Sequence, residues 1–373
     1  VLGLAFYIKV AEVPWSNSEE YDNIILRLGI FHVICNYLAV LGKRFGDAGL
    51  QDVAVESGVI AEGSISQVLE GKMYNRAIRL HKLMYEALMR IAWKQFFPWF
   101  EERYPDELPL MNKSMKMLGD FHGVITKSTF DNECESSKAL ENMLDDPSVD
   151  KILQRFDEFL EFLRNECGEM SSFWMPYLDC IEMLLDLIRS SREGNWLLHI
   201  HTIERLIPWF FAYDRQNYAK YLPVYHSQMA RLETEHPEKY QYFLNGGFSV
   251  QIGDRNPFGR ISVDQVVEET VNKDTQTPGG TKGFSLKPSA LSKYYLTAEY
   301  RSRGMKQLRA LVKQKSTRFA HADLESTRIK KDETDVQAIL DLLENNWTNP
   351  FANAESSTLK IYFTTDSEYP VNI

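Results

Sequence analysis

Residues 194–232 constrain this chain more than any other stretch. Trp196, Ile200, Ile203, Ile207 and Phe210 recur at three- and four-residue steps, which places them on one apolar face of a helix. Trp209, Phe211, Tyr213, Tyr218, Tyr221 and Tyr225 crowd the same stretch. Rings at that density demand burial. The stretch therefore predicts the centre of a large helical core.

The rest of the chain supplies helices to surround it. Phe6, Val10 and Val13 share a face, so residues 4–13 read as a short helix. Ser16 followed by Glu19 and Glu20 is a helix start, with acids at the positive end of the dipole. Ile24-Ile25-Leu26 reads as a short buried strand ending at Gly29, and Phe31 to Lys43 as an apolar helix ended by the glycines from Gly42 to Gly49. Residues 64–97 hold one or two helices, with Pro98, Pro105 and Pro109 breaking the pattern. Val149, Ile152, Leu153, Phe156, Phe159, Leu160 and Leu163 form the clearest amphipathic stripe, with Asp145, Asp146 and Asp150 at its start. Tyr177, Ile181, Leu184 and Ile188 mark the next helix, and Pro237 opens a short one. Phe248 to Ile252 alternates as a strand does. Ser262 is placed to cap a helix from Val263 to about Asn272, with Gln265 in the capping-box position. A basic helix spans 292–315, and Val336, Ile339, Leu340 and Leu343 align on a last helix over 332–347.

Charge and cysteine usage narrow the function classes. The net charge of -10 argues against nonspecific nucleic-acid binding by the chain as a whole. One segment departs from that: residues 282–331 carry 13 Lys and Arg against three acids, leaving the remainder near -20. Cys35, Cys134, Cys167 and Cys180 form no CxxC pair, so zinc-ribbon and thioredoxin-type motifs are excluded. Scattered thiols fit a reducing compartment, which places the protein inside the cell, in nucleus or cytoplasm. The longest uncharged run, Leu28 to Gly42, is shorter than the roughly 20 apolar residues of a membrane span. No membrane partner is expected.

Four groups of residues suggest chemistry. His199, His201 and Glu204 look like metal ligands, but only His201 and Glu204 share a helical face. Hydrogen-bonded histidines beside a core helix are the plainer reading. His32 and His81 read the same way. Gly71-Lys72 resembles the end of a phosphate loop yet lacks the earlier glycine. Asp264 and Glu268 lie four apart on one helix, spaced to offer oxygen ligands to a divalent cation, or simply to form a solvated acidic face. In the basic helix Lys293, Arg301, Arg303, Lys306 and Arg309 interleave with Tyr294, Tyr295 and Tyr300, as on nucleic-acid surfaces. The alternative is a charged helix balancing the acidic remainder.

Several stretches, taken in order, resemble transposase-derived proteins of invertebrate mobile elements. They are Leu28-Gly29-Ile30-Phe31-His32, Leu41-Gly42-Lys43 with Gly49-Leu50, and Gly71-Lys72-Met73-Tyr74-Asn75-Arg76-Ala77 with Arg79 and His81. Tyr213-Asp214-Arg215-Gln216-Asn217-Tyr218, Val224-Tyr225, and Asp264-Gln265-Val266-Val267-Glu268 with Asn272 and Gly279-Gly280 complete the set. The resemblance covers roughly residues 1 to 350. It implies a ribonuclease-H-like core interrupted by a helical insertion, and a catalytic cage of three carboxylates holding two Mg²⁺ ions. Glu268 corresponds to the last acid of that cage. The first falls on Gly3, and Ile30 stands beside the Phe-His pair, where an acid is absent.

The resulting expectation is a predominantly α protein with a small, incomplete ribonuclease-H-like α/β remnant. Residues 1–49 and 245–285 form the remnant, 50–244 the helical insertion, and 286–373 the basic helix and tail. The chain reads as a degenerate or truncated transposase-derived protein without catalytic activity, its opening strands lying upstream of Val1. Glu268 and Asp264 are then relics of a catalytic centre whose Mg²⁺ is lost. Any DNA contact runs through residues 282–331. The alternative is an unrelated intracellular all-helical protein-interaction module, for which residues 24–28 and 248–252 do not pair as strands.

Overall fold

A computed structural model describes residues 24–127, 141–252, 258–269, 287–297, 326–347 and 349–352, with a few residues elsewhere: 12, 16–21, 299–300, 303–304 and 307. The fold is predominantly α. In chain order the helices are α1 (Ser18–Tyr21), α2 (Ile30–Phe45), α3 (Gln51–Glu56), α4 (Glu62–Leu69), α5 (Tyr74–Arg103), α6 (Leu108–Lys127), α7 (Pro147–Asn165) and α8 (Glu169–Glu193). They continue with α9 (Trp196–Ala212), α10 (Gln216–Ala230), α11 (Leu232–Glu235), α12 (Pro237–Leu244), α13 (Val263–Val267), α14 (Pro288–Leu296) and α15 (Ser326–Asp341). Strands β1 (Ser249–Gln251) and β2 (Arg260–Ser262) pair antiparallel, with Val250 opposite Ile261. They are the whole of the sheet structure among the described residues.

The chain divides into two compact units, each assembled from separated stretches. The first comprises residues 1–48, 63–78 and 182–333. Its centre is the α9–α10 hairpin. Trp196, Phe210, Leu222, Tyr225 and Met229 are buried there, and Tyr37 of α2 packs against Phe210 with ring centroids 6.3 Å apart. The aromatic stretch is the core, but its inward stripe differs from the expected one. His199, Thr202 and Leu206 face inward, while Ile200 and Ile207 are half-buried. Both stripes obey helical spacing. The polar one is admitted because Tyr225 Oη lies 3.0 Å from His199 Nε2 and Thr202 donates to the Leu198 carbonyl at 2.7 Å.

The second unit comprises residues 49–62, 79–181 and 334–373. The stripe on α7 is its backbone: Val149, Ile152, Phe156, Phe159 and Leu163 are buried, whereas Leu160 is half-buried and Leu153, at 44% exposure, faces outward. Trp93 of α5 stacks on Phe156, with centroids 4.1 Å apart and planes 7° from parallel. Asp146 caps α7 by accepting from the Ser148 amide at 2.9 Å. Lys113 lies 2.7 Å away and, with Ser148, holds the Asp146 carboxyl down to about 2. Glu107 receives both Arg155 Nη2 at 2.7 Å and Nε at 3.0 Å.

Several local expectations are corrected. Pro98 does not end its helix but sits inside α5. It is exposed, while buried Phe96 and Phe100 hold the helix on its other side. Residues 24–29 form no strand among the described residues, and β1 takes β2 as its partner. Ser262 has cap geometry but no side-chain cap bond, and Gln265 donates to Glu269 at 2.8 Å instead of completing a capping box. The last helix starts earlier than expected, at Ser326, and runs into a π-helical turn, Leu342–Asn346. Residues 4–11 and 13, the ends of the expected helices over 263–272 and 292–315, and residues 270–285 lie outside the described residues.

Candidate functional site

Helix α2 begins without a cap of its own. Gly29 occupies the N-cap position with extended geometry and has no side chain to accept from the first amides. The acceptor arrives from far along the chain. Asp264 Oδ1 takes the Phe31 amide at 3.3 Å, and Oδ2 takes the His32 amide at 3.1 Å. A carboxylate on a helix N-terminus gains from both the hydrogen bonds and the dipole. Gly29 is required for this approach, since a Cβ there would overlap the Asp264 carboxylate. One turn further on, Glu268 Oε1 lies 3.4 Å from His32 Nε2. The two acids therefore do share a helical face, and that face is turned onto the start of α2.

Other polar groups of the same unit gather around Asp264. Burial, reinforced by the Asp264 carboxylate, pushes the Cys35 thiol up to about 12, which makes it a poor nucleophile at neutral pH. Burial likewise raises the Tyr74 and Tyr218 phenols, with Cys35 and Asp264 adding to the shift. The Phe31 and Tyr74 rings lie 4.8 Å apart beside the cap. Gly71, at φ +70°, brings its backbone against the Cys35 carbonyl. Phe31, His32, Cys35, Tyr74, Asp264 and Glu268 are all half-buried there. Among the described residues no group of three His, Cys, Asp or Glu is placed to hold a metal ion.

A second polar set lies in the core of the unit. Arg27 donates to the Phe248 carbonyl at 2.5 Å and stacks its guanidinium 5.2 Å from the Phe243 and Phe248 ring centroids. Its charge also acts on the buried Tyr225 phenol, whose oxygen lies 3.0 Å from His199 Nε2. Burial, then the Arg27 charge, keeps His199 neutral, well below its usual range. Arg260 donates to the Gly246 carbonyl at 2.7 Å. These arginines pin the 246–249 turn by its carbonyls.

The remaining candidates do not converge. His199 is buried, whereas His201 and Glu204 are exposed, so the suspected ligand trio is split across α9. Lys72 of the suspected phosphate loop pairs with Glu70. His81 is buried against Tyr177, with Nδ1 2.9 Å from the phenol oxygen. Lys293 is exposed on α14, and Arg303 is exposed and pairs with Glu299 at 2.6 Å. Arg301, Lys306 and Arg309 lie outside the described residues. The capping role of Asp264 was not read from the sequence. Its signal was there: an apolar helix starting at Ile30 behind a glycine has unmet amides, and a missing local cap calls for a remote one.

The whole chain has a family. It belongs to the family described as a domain of unknown function (DUF8702), which matches residues 1–367. No curated protein and no solved structure matches it. No helix among the described residues is long and apolar enough to cross a membrane.

Proposed function

We propose that this DUF8702 protein works without phosphodiester chemistry, as a non-catalytic descendant of a transposase-like enzyme, and that any hold on DNA comes from residues 282–331. The observation that supports it most is the Asp264 cap. A two-metal centre needs carboxylate oxygens free to face cations and a third acid beside them. Both Asp264 oxygens instead accept amides at the positive end of α2, and Glu268 faces His32. A cation there would compete with that helix end for the same oxygens. The test is a Mg²⁺-dependent strand-cleavage assay on the purified chain, wild type beside Glu268→Ala. No turnover in either is the expected result; turnover that disappears in Glu268→Ala would sink the proposal.

A second reading, an all-helical protein-interaction module unrelated to transposition, has its own support. Among the described residues, 24–29 join no strand, and α9 turns Leu197, at 62% exposure, and Phe211, at 57%, outward. Leu197→Glu with Phe211→Glu separates the readings. The module reading expects the pair to abolish partner capture while leaving the thermal midpoint unchanged. The first reading expects no change in DNA affinity from it.

A further inference from the structure

We draw no further inference here: the strongest candidate, the outward face of α9 with exposed Leu197 and Phe211, is an unpartnered apolar face, and nothing in the structure shows what covers it.

Discussion

The Asp264 carboxylate does for α2 what an N-cap residue does from within a chain, across 233 positions of sequence. Asp264→Asn keeps one oxygen acceptor but removes the charge and the second acceptor. We expect a loss of about 1 kcal/mol in urea unfolding, with faster exchange of the Phe31 and His32 amides. Unchanged protection of those amides would rule the cap out as a stabilising contact. His81 sets a pH dependence whose sign follows from burial. Its pKa is lowered from 6.5 to about 3 because the charged form is desolvated. Between those values the unfolded chain takes up a proton that the folded chain refuses, so stability falls as pH falls through that window. At pH 5 the contribution is about 2 kcal/mol. The urea midpoint should therefore drop between pH 7 and pH 5, and the drop should shrink in His81→Gln. Asp214 is the only non-glycine with positive φ, at 54°, among the described residues. It ends α9 where glycine is the usual residue, with the Arg215 amide returning to the Phe210 carbonyl at 3.0 Å. Asp214→Gly should raise stability by roughly 0.5–1 kcal/mol, read from the thermal midpoint.

At the scale of elements, the junction of α2 and α13 depends on a glycine that sequence motifs alone leave unexplained. Gly29→Ala pushes a methyl into the Asp264 carboxylate. It should cost about 1–3 kcal/mol in the wild type and distinctly less in Asp264→Ala, where the space is open. A double-mutant cycle by urea unfolding measures that coupling; strict additivity would mean the two residues do not meet. Helix α9 shows the same dependence on a partner. Two adjacent stripes satisfy its spacing, and the phenol of Tyr225 on α10 selects the one containing His199. Helix α5 passes through Pro98 because packed rings on its inner side outweigh one lost backbone bond.

At the scale of the molecule, acidic composition and a basic segment divide the chain's electrostatics. Lys293 and Arg303 stand exposed within that segment, Arg303 paired with Glu299. If the segment holds DNA, fluorescence anisotropy should show affinity falling steeply with salt. Replacing Lys293, Arg301, Lys306 and Arg309 by alanine should flatten that slope. Affinity that is indifferent to both salt and these substitutions would leave the interaction-module reading. The family match extends over both compact units.

Helical periodicity is local, which is why the sequence by itself established the predominantly α class, the stripe on α7, the last helix with Val336, Ile339, Leu340 and Leu343 buried, and the aromatic centre at residues 194–232. The short elements were harder, because a strand of three residues is defined by its partner and not by its own pattern. Ile24 to Leu26 has strand composition, but among the described residues no strand lies beside it, and the Ile24 amide donates to the Tyr21 carbonyl at 2.9 Å instead. The spacing of Asp264 and Glu268 placed them correctly on one face, yet spacing carries no information about what that face meets. Only the tertiary structure decided that it meets a helix with unsatisfied amides, because the positive end of that helix draws the Asp264 carboxylate onto them.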